Sequence, residues 1–425
     1  MFSIFEFYIE AQESTLDSWS TFQNDLGNTG YSTSNGPKTN ETLWNFKADG
    51  YIWSDVAVAG GIVYVGSLDN NVYALNSTTG ASIWNYTTGD VAGSFISGIF
   101  SSATVADGVV YIGSNDNNVY ALNSTTGALI WNYTTGSQVQ SNPKVANGVV
   151  YIGSNDDNVY ALNSTNGDLI WNYTTGDDVI SVPAVIDGVV YVGSYDYYVY
   201  ALNATNGSVL WKFETGGGVE SSPTIANGMV YFGSYDNETY ALDASTGSLI
   251  WSHTTGTDRC VQASPAVAAG MVYVASSYVG ALNGNVSALD AVTGDLIWSY
   301  TTDGLVVSSP IVANNIIYFG SAYIGELAEE YSEFILTGRR GTVYGLDATT
   351  GDLIWSYQTG GAVYSSPAIV NGVLYIGSMD RNVYAFGSSS DNQILNIPAS
   401  VYYLIALVII IAIAVTAIIL LFRRR

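Results

Sequence analysis

Eight tryptophans return in one short phrase of sequence, and their spacing restricts the chain to very few architectures. Trp44, Trp84, Trp131, Trp171, Trp211, Trp251, Trp298 and Trp355 stand 40, 47, 40, 40, 40, 47 and 57 residues apart. The fullest copies occupy residues 106–136 (ADGVVYIGSNDNNVYALNSTTGALIWNYTTG) and 146–176 (ANGVVYIGSNDDNVYALNSTNGDLIWNYTTG). A period near 40 residues marks a stacked repeat, in which no copy buries its own apolar faces and each leans on its neighbours.

Each copy predicts four short strands; in the third they cover residues 141–146, 149–154, 158–163 and 169–173. The breaks between them are turn chemistry: Asn147-Gly148, Asn155-Asp156-Asp157 and Ser164-Thr165-Asn166-Gly167. Asn, Asp and Gly accept positive φ at low cost, so such pairs between apolar runs signal hairpins. VVYIGS and NVYALN are apolar on both faces, as in strands sandwiched between neighbours. Val, Ile, Tyr and Thr dominate and Gly recurs throughout, which disfavours helices. Four-stranded sheets repeated radially make a β-propeller, an arrangement that leaves only short edges.

The ends of the second strands count the blades: Ser67, Ser114, Ser154, Ser194, Ser234, Ser276, Ser321 and Ser378, with Ala275 replacing Gly in the sixth copy. The eighth copy stops at Tyr384-Ala385-Phe386 with no tryptophan after it, while the first tryptophan strand, residues 41–46, precedes any second strand. The two halves complete each other. The expected fold class is all-β: an eight-bladed β-propeller of four-stranded antiparallel blades over residues 15–388, closed by an N-terminal strand, plus one C-terminal transmembrane helix.

The pattern SSPxVxxGxVYxGSxDxxVYALxxxTGxxxW resembles the pyrroloquinoline-quinone-like (PQQ-like) propeller repeat over residues 17–388, and Trp19 to Tyr31 is similar to that family's lead-in. The resemblance implies that each tryptophan, with the following Thr-Gly, locks adjacent blades together. It also raises a cofactor question. Quinoprotein dehydrogenases of this fold grip the quinone with a disulfide between adjacent cysteines and a tryptophan floor, and add calcium and an aspartate base. This chain has one cysteine, Cys260, and one histidine, His253, in an outer strand. The cysteine pair cannot exist, the usual zinc spacings are absent, and no motif supports a triad on His253. Fold alone confers no chemistry. The expectation is therefore no catalytic residue and no cofactor, with PQQ disfavoured. Calcium has weak support from Asp69, Asp116, Asp156, Asp196, Asp236 and Asp380, which recur after Gly-Ser; turn capping is the better account of them, since each hairpin offers too few oxygens for that ion.

Residues 401–422 (VYYLIALVIIIAIAVTAIILLF) carry no charge and precede Arg423-Arg424-Arg425. That length spans a bilayer as a helix, and the arginines favour a cytoplasmic C-terminus. The propeller is expected outside the cytoplasm, at the plasma membrane, tethered by residues 389–400. Residues 1–14 read as a remnant of a longer signal segment or as disordered, since Met1–Ile9 lacks a basic start. Candidate glycosylation sites are Asn40, Asn76, Asn85, Asn123, Asn132, Asn163, Asn172, Asn203, Asn206, Asn237 and Asn285. With a net charge of −25 the chain repels phosphate backbones, which excludes nucleic acid as a partner.

Departures from the period fall within residues 90–101, 257–262, 277–284 and 322–341, the last adding seventeen residues. All belong to blade-to-blade connections or to turns between second and third strands, which share one rim. Binding usually resides in loops on a rigid scaffold. The candidate partner-binding rim comprises Tyr195, Tyr197, Tyr198, Tyr235, Tyr323, Tyr331, Phe334, Arg339 and Arg340. The nearly identical blades read as a scaffold whose asymmetry lies in its loops. The sequence thus predicts a membrane-anchored, extracytoplasmic binding or scaffold module for protein or glycan partners. A quinone-dependent dehydrogenase and a factor resembling the bacterial outer-membrane assembly propeller are the alternatives.

Overall fold

The computed structural model describes residues 18–90, 97–256, 260–278, 283–323 and 340–388. Its strands form eight sheets arranged as the blades of a propeller. Blade 1 covers residues 57–87, blade 2 104–134, blade 3 144–174, blade 4 184–214, blade 5 224–254, blade 6 266–301 and blade 7 311–359; blade 8 joins 368–386 to 42–47. In blade 3 the strands are Lys144–Ala146, Val149–Gly153, Asn158–Asn163 and Leu169–Thr174, innermost to outermost and antiparallel throughout. The innermost strand is shorter than its sequence suggests. Pro143 has no N–H to give a ladder, and Ser141 instead donates its hydroxyl to the Ser181 carbonyl of the next blade. The turn Asn147-Gly148 takes φ values of 51° and 77°, as a tight hairpin between right-twisted strands requires.

The ring closes through the N-terminus in two ways. Thr42–Lys47 pairs antiparallel with Asn382–Phe386 as the outermost strand of blade 8. Ahead of it, residues 19–34 wind around the inside of the ring and cap the free edges of the innermost strands. Val105, Val185, Ile225, Val267 and Val312 donate their N–H groups to the carbonyls of Ser20, Leu26, Gly27, Thr29 and Gly30 in turn. Tyr31–Ser32 lies parallel to Ile311–Ala313, so blade 7 has a fifth strand beyond the expected four. Eight exposed inner edges would otherwise leave ladder groups unpaired in the channel. Gln23 crosses the channel, with its amide nitrogen 3.3 Å from the Ser264 carbonyl of blade 6. Lys144, wholly buried, donates from Nζ to the carbonyls of Phe22 and Asp25. Burial lowers its pKa to about 7, against an opposing pull from Asp25. The channel thus has a floor.

The outer belt is held by one device repeated eight times. Trp131 Nε1 donates to the Ser164 carbonyl of blade 3 at 2.9 Å, and Tyr111 donates its hydroxyl to the same oxygen at 3.1 Å. The indole lies on Gly167, whose φ is +76° and where an added Cβ would sit 2.7 Å from the ring. Trp44, Trp84, Trp171, Trp211, Trp251 and Trp298 make the equivalent bond to the following blade. Blade 8 lacks the corresponding turn, and there Trp355 bonds the Pro37 carbonyl instead. The segment after the channel floor therefore stands in for the missing turn.

Candidate functional site: the channel cup

Just before each innermost strand the chain alternates, one side chain turning back into its blade and the next toward the axis. In blade 1, Ser54 bonds its own blade at Gly66, while Trp53 and Asp55 face the channel. The layer nearest the floor consists of Asp55, Ser102, Asn142, Val182, Ser222, Ser264, Ser309 and Ser366. Each backbone N–H reaches the next side chain around the ring: Asp55 to Ser102, Ser102 to Asn142, Val182 to Ser222, Ser222 to Ser264, Ser264 to Ser309, Ser309 to Ser366, and Ser366 back to Asp55. Only the step from Asn142 to Val182 has no side-chain acceptor. Asp55 also accepts from Ser102 Oγ at 3.0 Å and from Asn142 Nδ2 at 3.4 Å. Burial raises its pKa despite these donors, which act the other way.

One layer toward the opening the ring loses its symmetry. The equivalent residues in blades 1 to 8 are Trp53, Phe100, Gln140, Ile180, Glu220, Gln262, Val307 and Tyr364. On one side Trp53 stacks on Tyr364 with centroids 4.2 Å apart and meets Phe100 at 5.3 Å. Tyr51, Leu68, Val307, Ala322, Ala362 and Met379 pack into the same apolar patch. Four blades round from Trp53, Glu220 Oε2 accepts hydrogen bonds from Tyr195 Oη and Tyr235 Oη, each at 2.5 Å, and from Gln262 Nε2 at 3.2 Å. Burial, then the Glu220 charge, pushes both phenols well above their ordinary range, so they remain neutral donors. Cys260 lies beside this network, its thiol 3.7 Å from Gln262 Oε1. Burial raises its pKa too, the reverse of an activated nucleophile.

The candidate rim residues separate into distinct groups. Tyr195 and Tyr235 belong to the channel wall. Tyr197, at φ +77° and 52% exposed, points to solvent. Tyr198 lies under Lys212, whose Nζ is 4.1 Å from the ring centroid. Tyr323 stacks beneath Arg340 at 4.4 Å, and Arg340 also pairs with Asp303 at 3.6 Å. Tyr331, Phe334 and Arg339 fall outside the described residues, as do the tail segments 389–400, 401–422 and 423–425 and residues 1–14. Among the sequons, Asn85, Asn132 and Asn172 are exposed on outermost strands, with their Nδ2 atoms donating to Asn71, Asn118 and Asn158. Asn76, Asn123, Asn163 and Asn203 cap turns through Oδ1; Asn40 donates to the Ser356 carbonyl.

The recurrent aspartates are engaged by protein donors. Asp156 accepts from Asn158 N through Oδ1 and from Tyr160 Oη and Gly136 N through Oδ2. It thereby caps its own turn and pins the Thr-Gly of the preceding blade. Asp157, Asp177 and Asp178 bring carboxylate oxygens within 4.8 Å of one another. Burial and mutual repulsion raise the pKa values of Asp157 and Asp178. Three such groups fall short of the six to eight oxygens calcium takes.

The asymmetric channel layer escaped the sequence reading, which placed all asymmetry in the loops. A signal was available. Of ten tryptophans only Trp19 and Trp53 stand outside the repeat, one beneath the cup and one in its wall.

The family model described as outer membrane protein assembly factor BamB matches residues 33–105, 90–186, 177–323 and 325–393. Among solved structures, BamB from Moraxella catarrhalis is 20% identical with a TM-score of 0.66, covering 82% of this chain and 98% of its own. A europium-containing methanol dehydrogenase is 13% identical with a TM-score of 0.71, covering 88% and 98%. The quinohemoprotein alcohol dehydrogenase from Comamonas testosteroni is 16% identical with a TM-score of 0.71, covering 89% and 81%. At these identities the likeness is one of fold. A search of curated proteins returned no match.

Proposed function

We propose, from the premise that this chain belongs to the family described as outer membrane protein assembly factor BamB, that it is a non-catalytic binding module presenting one face of its propeller to partners. The observation that carries this reading is the one-sidedness of the molecule. Met271–Tyr278 and Asn283–Asp290 of blade 6, and Ile316–Tyr323 and Arg340–Asp347 of blade 7, are each eight residues long. Their counterparts in blade 3 have five and six. The extended strand ends and the described residues that flank each insertion lie on the face where the cup opens, while the turns of the opposite face keep their repeated form. A rigid ring with elaborated loops on one rim suits recognition. In this reading residues 401–422 anchor the chain in the plasma membrane with the propeller outside, and the partner is a protein or glycan of the surface.

The dehydrogenase reading has the fold in its favour but a poor fit of residues. With Cys260 alone there is no adjacent cysteine pair, the grip that the resemblance implies for the quinone. The test is comparative capture from native membranes with the full chain and with a variant in which residues 322–340 are replaced by Asn-Gly. A partner held by the intact chain alone supports the rim. Equal capture by both, or none by either, overturns its role. Loading with PQQ and calcium tests the dehydrogenase reading directly: a quinone absorbance that stays with the protein through gel filtration would replace the binding-module proposal.

A further inference from the structure

The two-toned wall of the cup selects for a kind of ligand. Its apolar side presents aromatic faces around Trp53, and the aromatic quadrupole attracts positive charge. On the opposite side the Glu220 carboxylate is held in place by three donors at one oxygen. Among the described residues no protein donor is assigned to its other oxygen, Oε1. Asp55, its oxygens already engaged by Ser102, Asn142 and Ser366, lies one layer below, and Gln23 on the floor keeps Oε1 buried without a donor. The Gln23 amide is oriented by its nitrogen bonding the Ser264 carbonyl, so this atom is an acceptor. Among the described residues the nearest basic groups are otherwise occupied. Lys144 is committed to the carbonyls beneath the floor. Arg381 is engaged 5.4 Å over the Tyr51 ring. Among the described residues the cup therefore offers acceptors and π faces but no free cation.

We infer that the channel cup binds an organic cation, an ammonium or guanidinium group on an apolar body, with the body against Trp53 and Tyr364 and the charge toward Glu220. The shared chemistry admits two sources: a free small amine, or the side chain of a basic residue in a peptide. The inference rests on the binding-module reading but uses residues separate from the rim insertion, so the two can fail independently.

The full chain in detergent would be titrated with choline and with its uncharged isostere 3,3-dimethyl-1-butanol, following tryptophan fluorescence and calorimetry. Arginine amide and the peptide acetyl-Gly-Arg-Gly-amide form the second pair. The expected result is saturable binding of at least one cation, with at least tenfold weaker binding of the uncharged isostere. Glu220→Gln keeps the volume and removes the charge, and should weaken the cation at least tenfold; Trp53→Leu keeps an apolar wall without the π face and should weaken it severalfold. Unchanged thermal midpoints would show that both variants remain folded, and Glu238→Gln on the outer rim serves as a charge control. Tighter binding of arginine amide than of the peptide supports a free amine, and the reverse supports a peptide side chain. No binding by any cation, equal binding of choline and its isostere, or an unaffected Glu220→Gln would overturn the proposal. The 322–340 replacement should leave cation binding intact even if it abolishes partner capture.

Discussion

The outer belt and the channel layer are built from the same eight copies, yet one repeats and the other does not. In the belt seven indoles bond the next blade, with the same 2.9–3.1 Å contact at Trp44, Trp131 and Trp251, and Trp355 makes the equivalent bond to Pro37. In the channel, equivalent positions run from Trp53 through Glu220 to Tyr364. The difference reflects what each region touches. A belt residue meets the same neighbour in every blade, so any departure breaks a packed contact. A channel residue meets its near neighbours and the space on the axis, so the ring tolerates variety there and can use it for recognition. Stability is thus spread over eight copies, while the proposed specificity falls where they diverge.

The largest test of this contrast lies in two glycines with nearly the same backbone. Gly167 and Gly148 have φ values of +76° and +77°. At Gly148 an added Cβ has only Ser164 Oγ nearby, at 3.9 Å, whereas at Gly167 it would press into Trp131 at 2.7 Å. Gly148→Ala should cost about 1–2 kcal/mol, the left-handed penalty alone. Gly167→Ala adds overpacking against a fixed ring, for a total of about 2–5 kcal/mol. Urea unfolding of the two variants measures the difference. Equal losses would mean that the belt is not rigid and that the indole yields.

The comparison also explains which parts of the molecule were legible in the sequence. Blade number, strand order and closure by residues 42–47 follow from the repeat and its split last copy, because turn residues and strand periodicity are local. The course of residues 19–34 was not legible as a floor. Its bonds to Val105, Val185, Ile225, Val267 and Val312 connect one short segment to positions spread over most of the chain, and no local pattern encodes them. The channel layer lies between these cases. The column holding Trp53, Gln140, Glu220 and Tyr364 can be aligned by the repeat, but its meaning depends on knowing that this column faces the axis. Gln140, flanked by buried Val139 and Ser141, reads in isolation as an ordinary edge residue.

A smaller effect tests how far the inner asymmetry reaches into stability. Lys144 occupies a position held by Thr104, Ala184 and Thr224 in nearby blades, and burial brings its pKa down from 10.5 to about 7. Between those values the unfolded chain holds a proton that the folded chain does not. Stability should therefore rise with pH across that window, by up to about 1.4 kcal/mol per unit. Lys144→Met should remove that contribution to the slope while loosening the grip on Phe22 and Asp25. Denaturation midpoints at pH 7.5 and 9.5 for both proteins would check it. The same pH dependence in Lys144→Met would show that the slope arises elsewhere.

The smallest expected effect concerns a place where the repeat itself is imperfect. In the turn between the first two strands, the first left-handed position is Asp107, Asn147, Asp187 and Asn227 in blades 2 to 5, but Ala269 in blade 6, at φ +50°. Alanine has no side-chain oxygen to offset that conformation, and its Cβ crowds the following carbonyl. Ala269→Gly removes the crowding at the cost of a more flexible unfolded chain, which offsets about 0.4–1 kcal/mol of the gain. A net stabilisation of up to about 1.5 kcal/mol is expected, with cation binding in the cup unchanged because the turn lies on the opposite face. Thermal melts and a choline titration of the same variant would separate the two. A change in binding without a change in stability would mean that blade geometry is transmitted from that turn to the channel, and that the belt and the channel layer are not independent.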